Sequence, residues 1–280
     1  MKHLKLFAAV PVLFLLSFLL LAGCAADPEA AKDPGNGEPE ETGTLVFTAN
    51  GEAFVREGFL SKDGWSLTFD HAYITVSGVT AYQTEPPYDT EQGWDIDYQV
   101  KVELPGVYTV DLANPDADPA ILKEEAAAPA GRYHALSWEM AQASEGPAKG
   151  YMLYLVGKAE KGSEVIQFVL RLEKEVAYIG GEYIGDERKG ILAAGDSAEM
   201  EMTFHFDHLF GDGAADENDS LNREALGFDP LAALAVDGLV DVSLAELQDD
   251  LSAADYQLLV SILTHLAHVG EGHCLAKFLE

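Results

Sequence analysis

Cysteine is the scarcest resource in this chain of 280 residues: there are two, Cys24 and Cys274. The disulfide frameworks that small secreted folds use in place of a core are thereby excluded. Basic residues are nearly as sparse, 17 Lys and Arg against 48 Asp and Glu, for a formal net charge of -31. A polyanion of this size repels nucleic acid and anionic lipid heads alike, so nucleic-acid binding is excluded as a function. After the first apolar run, no stretch reaches the ~18 residues that span a bilayer. Enzyme signatures are missing too: there is no G-x-S-x-G elbow, no P-loop, no dinucleotide fingerprint and no H-E-x-x-H helix. Carboxylates are too plentiful to single out a catalytic pair, and a non-catalytic protein is expected.

What is present begins with "MKHLKLFAAVPVLFLLSFLLLAGC", a basic start (Lys2, Lys5), an apolar run and small residues before a cysteine. That is a secretory signal over residues 1–23 and not a fold element. Leu21-Ala22-Gly23-Cys24 resembles the bacterial lipobox, which implies a diacylated Cys24 as the mature N-terminus. Two or three acyl chains anchor stably where one is marginal, so the expected address is the bacterial cell envelope, lipid-anchored and extracytoplasmic. Residues 24–43, rich in Pro, Glu, Gly and Ala, bury too little apolar surface to offset ordering entropy and form an acidic linker. With the signal removed, 15 basic residues face 48 acidic ones. The natural small partners of such a surface are cations, although acidity also serves solubility.

From Thr44 to His208 the sequence alternates in short segments separated by turn residues. "GTLVFTANG" ends in an Asn-Gly turn signal, "GYMLYLVGKAEKGSEVIQFVLRL" reads as a hairpin about Lys161-Gly162, and "SAEMEMTFHFDH" puts Met200, Met202, Phe204 and Phe206 on one face. The pattern predicts a mainly β fold, an antiparallel β-sandwich of Ig-like or open-barrel type. Residues 209–280 change character: an acidic glycine-bearing loop, then helices opened by Asp229-Pro230, by Ser243 with Glu246, and by Ser252 with Asp255. The last helix is expected to run to a C-cap at Gly270, giving a helical annex in one domain with the sandwich.

Five of the eight histidines fall in two short stretches, "FHFDH" (His205, His208) and "HLAHVGEGHC" (His265, His268, His273, with Cys274). Neutral imidazole is the usual nitrogen ligand for Zn, Cu, Ni and Fe, and a thiolate biases a site toward Cu(I) or Zn. On a helix His265 and His268 lie 60° apart, close enough to share a ligand, on the side away from the apolar stripe. His205 and His208 point to opposite strand faces unless His208 has already left the strand. A second group of candidate ligands, His134, Trp138 and Met140 in "YHALSWEM" with His71 in "FDHAYIT", suits copper or is plain core. The acidic loop offers Asp212, Asp216 and Asp219 as oxygen ligands for calcium, without EF-hand spacing.

"LTFDHAYITVSGVTAYQ", "YTVDL" and "PAGRYHALSWEM", in that order, are similar to segments of the methanobactin-associated periplasmic copper-binding family. The resemblance implies a secreted β-sandwich that binds copper through histidines beside an oxidisable tryptophan, with His71, His134 and Trp138 the matching residue types. "FHFDHLFGDG" and "HVGEGHC" resemble a group of uncharacterised bacterial lipoproteins, which adds no activity. The expected function is a membrane-tethered metal-binding protein for copper or zinc capture, buffering or delivery, with an envelope protein as partner. The alternative is a surface sandwich that binds a protein or glycan and whose histidines are structural.

Overall fold

The computed structural model describes residues 41–181, 190–270 and 272–280. Residues 1–40, which hold the expected signal segment, Cys24 and almost all of the expected linker, lie outside the described residues. The chain runs β1 (Thr42–Asn50), α1 (Glu52–Glu57), β2 (Phe59–Leu60), β3 (Ser66–Gln83), β4 (Val100–Asp111), β5 (Ala120–Pro129), β6 (Gly131–Met140), β7 (Leu153–Lys161), β8 (Glu164–Leu172) and β9 (Val176–Gly181). It continues through β10 (Ile191–Leu192), β11 (Ser197–Phe204), α2 (Asp207–Phe210), α3 (Ser220–Glu224), α4 (Asp229–Ala232), β12 (Leu239–Ser243), α5 (Leu244–Asp250), α6 (Ala253–Ile262), β13 (Ala267–Val269), β14 (Gly272–His273) and β15 (Leu275–Phe278). The fold is mainly β, with few and small helices.

Two mixed sheets face each other. One is five-stranded in the order β14-β13-β11-β1-β5, and the other, curled as a half-barrel, follows β12-β8-β7-β3-β6-β9-β15 with β2, β4 and β10 attached. The curl originates in β3, which shifts register at Phe69/His71 against β7 and at Ser77/Val79 against β4. Such bulges bend a strand and raise its twist, and the bent β3 gives its first half to β7 and its second half to β6. The hairpin at Lys161-Gly162 forms as the sequence implies. Two pairings depart from an all-antiparallel sandwich, since β1 lies parallel to β11 and β12 parallel to β8. The Asn-Gly signal at residue 50 is not a hairpin turn: Asn50 accepts a hydrogen bond from the Glu52 amide at 2.8 Å and leads into α1.

The inner faces share one core. Leu45, Phe47 and Ala49 of β1 and Met200, Met202 and Phe204 of β11 are fully buried, as is Phe206. They meet Trp138 and Tyr178 from the half-barrel, with the rings of Trp138 and Phe204 6.5 Å apart. The C-terminal segment supplies its helices between the sheets' edges and returns strands to both, so residues Pro39–Glu280 form one compact unit. Of its helix starts, Ser243 and Glu246 make the complete capping box, while Ser252 caps through the Asp255 amide.

One correction in this region matters for function. The last helix stops at Ile262 and does not reach Gly270. Leu263 still has α-helical dihedrals, but its carbonyl is captured by the buried Tyr178 hydroxyl. The amides of Thr264 and His265 then bond back only three residues, the tightening common at helix ends. Pairing with β11 takes over at Ala267, and it wins over local helical periodicity because it buries Ala267, His268 and Val269 together.

Gly157 marks where the strands pack most tightly. A Cβ there would sit 2.2 Å from the Thr68 carbonyl oxygen and 2.5 Å from the Phe168 ring. Gly157→Ala is expected to cost ~1–3 kcal/mol, read as a lowered urea midpoint with an unchanged slope; an unchanged midpoint would refute this packing.

Candidate metal centre

The two histidine stretches meet through backbone pairing. β11 and β13 are antiparallel with Thr203 opposite His268 and Phe204 opposite Ala267, and His268 in turn lies opposite His273 across β13 and β14. Past the end of β11, His205 keeps contact with the neighbouring segment by donating its amide to the Leu266 carbonyl at 2.9 Å. The chain then turns into α2, where the His208 amide bonds to the His205 carbonyl at 3.2 Å. Having left the strand, His208 is free of the face alternation that would have separated it from His205.

Four imidazoles therefore cluster. Ring centres are 4.3 Å apart for His205 and His268, 4.4 Å for His268 and His273, 5.3 Å for His208 and His268, 5.7 Å for His205 and His208, and 6.3 Å for His208 and His273. Imidazoles bound at 2.0–2.1 Å around one tetrahedral ion have centres about 5 Å apart, so these separations bracket the required spacing. Among the described residues, no three His, Cys, Asp or Glu side chains already have their donor atoms drawn onto one point. The rings are neighbours whose convergence needs side-chain rotation.

Burial and hydrogen bonding decide which ring atoms are available. His268 is 6% exposed, and its ring donates to the His265 backbone carbonyl, while its Nε2 is buried without a partner. His205 has Nδ1 3.3 Å from the Glu52 carboxylate and a buried, unpartnered Nε2. In both rings the arrangement assigns the proton to Nδ1 and leaves the Nε2 lone pair for an incoming electrophile, as in histidines that ligate metals. A third orphan, one carboxylate oxygen of Asp207, lies beside His208. These are three of the six buried polar side-chain atoms without a partner among the described residues. Such atoms are rare and cost on the order of 1–3 kcal/mol each when left unpaired, so three at one locus mark a place where bound water or a ligand completes the bonding.

Desolvation, then the neighbouring rings of His205, His273 and His208, pulls the His268 pKa down to about 3. Burial also lowers that of His208, opposed by Asp207 and helped by His205 and His273. Both rings are thus neutral at pH 7, the form that binds a cation. Glu52 is the feature least visible in sequence, because it lies far from both motifs. Its φ of 58° is a left-handed conformation that a glutamate adopts at a cost, held by the Asn50 side chain. Asp207, between the two motif histidines, was readable as a neighbour but not as an orphan.

The other predicted ligands are placed elsewhere. His265 is exposed on the turn after α6, with Nδ1 3.0 Å from the Ser261 carbonyl; it lies outside the contacting rings but on the same groove. Cys274 follows His273, yet its thiol packs against Gly180 and accepts from the Val269 amide. Burial raises its pKa far above the ordinary thiol value, so the thiolate that a metal requires is disfavoured. His71 is paired with Asp111 at 2.7 Å and stacked on Tyr73. His134 bonds the Thr84 carbonyl at 2.8 Å, next to the opposite end of β3. Trp138 stacks on Tyr178, and Met140 is core. These four do not assemble into a site. In the acidic loop, Asp212, Asp216 and Asp219 each turn a carboxylate oxygen onto a backbone amide two residues ahead. The buried Asn222 side chain ties the loop together by bonding the Asp212 amide and the carbonyls of Asp212 and Asp216, which does locally what a calcium ion would do.

No protein family, curated protein or solved structure matches this chain.

Two outcomes follow from the protonation chemistry. Between pH 6.5 and about 3 the unfolded chain binds a proton at residue 268 that the folded chain does not. Stability is therefore expected to be complete above pH 6.5 and to fall as pH drops through that window, with a shallower fall for His268→Gln in urea titrations. Equal pH slopes for the two proteins would sink the assignment. For Cys274, a thiol reagent is expected to label the residue in urea and to leave it unmodified in the folded protein at pH 8.

Proposed function

We propose that this protein binds a transition-metal cation, zinc or copper, at a centre made of His205, His208, His268 and His273. The observation that carries the reading is the pair of buried Nε2 atoms on His205 and His268, each with its partner nitrogen already committed and with no partner for its lone pair among the described residues. An all-nitrogen set suits Zn²⁺, Cu²⁺ and Ni²⁺ better than it suits Cu(I), which prefers sulfur. Asp207 is a fifth donor at hand. The formal charge of -31 supports the reading by raising the local concentration of cations.

Together with the lipobox resemblance at Cys24, the site makes the protein a membrane-tethered, extracytoplasmic metal-binding lipoprotein acting in capture, buffering or delivery. The copper-binding function implied by the resemblance of the sandwich segments is retained, but on a different set of histidines. No helix among the described residues is long and apolar enough to cross a membrane; in this reading the tether is the acylated cysteine that the lipobox resemblance implies.

The test is metal content by inductively coupled plasma mass spectrometry on the Pro39–Glu280 unit purified without chelator, beside His205→Ala/His268→Ala. About one equivalent of zinc or copper in the wild type and none in the variant, with circular dichroism showing both folded, is the expected result. A wild type that arrives empty and takes up neither metal on addition would discard the reading in favour of a sandwich that binds a protein or glycan.

A further inference from the structure

The buried centre is reached from one side. A groove of ≈ 450 Å³ runs past it, lined by His208 and His273 of the cluster, by Ser220, Leu221 and Glu224 of α3, and by Leu258, Ser261, Ile262 and His265 around α6. Exposure grades along it: His265 and His273 are exposed, His208 is intermediate and His268 is buried. On the far side, His205 backs onto Glu52.

His265 is fixed at the mouth in a form ready to bind. Its Nδ1 lies 3.0 Å from the Ser261 carbonyl and donates to it, which leaves Nε2 with its lone pair. Its ring is not among those in mutual contact. A residue so placed lines the same groove as His208 and His273 and stands outside the four-ring cluster.

We propose that this groove is the path by which a divalent cation enters and leaves the centre, with His265 and Glu224 as a transient docking station at its mouth. The proposal rests on the metal-binding reading above. In the first step the Nε2 lone pair of His265 replaces one water of the hydrated cation while the Glu224 carboxylate offsets its charge. His273 and His208 then displace further waters, and His265 lets go as the orphaned nitrogens of His268 and His205 complete the shell. Every step exchanges one neutral donor for another, so no proton or electron need move.

A group that binds the ion only in passing lowers the barrier equally in both directions. The expected signature is kinetic: rates of uptake and release change together and the equilibrium constant does not. The full chain in detergent, loaded with Co²⁺ and followed by its visible absorption in stopped flow, measures uptake on mixing and release into excess chelator. His265→Ala and Glu224→Gln are each expected to slow both rates by about tenfold, with Kd within about twofold and stoichiometry unchanged. A Kd weakened through faster release alone would make His265 an ordinary ligand and overturn the station; unchanged rates would overturn it as well. A wild type that gives no Co²⁺ spectrum and takes up no zinc or copper would remove the metal-binding reading itself, an outcome separate from the other two.

Discussion

Three rungs of antiparallel ladder, Met202 to Val269, Thr203 to His268 and Phe204 to Ala267, carry more of this structure than their length suggests. They attach the C-terminal segment to the five-stranded sheet and continue it by another hairpin. They also bury the apolar side chains of β11 and β13 against Trp138 and Tyr178. The same rungs set His268 beside the end of β11, where His205 and His208 emerge. Core and candidate centre therefore share one register, and a slip of one residue would turn the imidazole inward and a valine or alanine toward the groove.

The arrangement places a polar requirement next to a strongly apolar one. Phe204 and Phe206 are fully buried, and between them His205 faces the other way, toward Glu52. A ring in that position loses water without gaining a full set of partners: its Nδ1 lies 3.3 Å from Glu52, and its buried Nε2 has no partner among the described residues. The left-handed glutamate fits the same logic: backbone strain at residue 52 is tolerated where it aims a carboxylate at the rear nitrogen of His205.

Much of the fold was legible in sequence, because alternation and turn chemistry are local. The Met and Phe row of β11, the hairpin at Gly162 and the serine caps all form where residue patterns put them. The helix predicted through residue 269 ends early because a long-range pairing and a tyrosine hydroxyl at Leu263 outbid helical spacing, and neither is written near Leu263 in the chain. For the site, residue types pointed to the right stretches, and geometry then sorted them. His205, His208, His268 and His273 come together, His265 stays at the rim, and Cys274, between β14 and β15, packs its thiol against Gly180. Glu52 was invisible because nothing but folding brings β1's end to β11's end.

That last separation has a consequence for when the centre exists. Its two histidine pairs lie on distant stretches of the chain, joined by the β11 and β13 ladder and by the His205 to Leu266 backbone bond, and the glutamate behind them comes from a third. An unfolded chain offers no more than adjacent imidazoles with full access to water. On the metal-binding reading proposed above, occupancy of the assembled centre would report completed folding, and a cation held there would act as a lock on the topology that created its site.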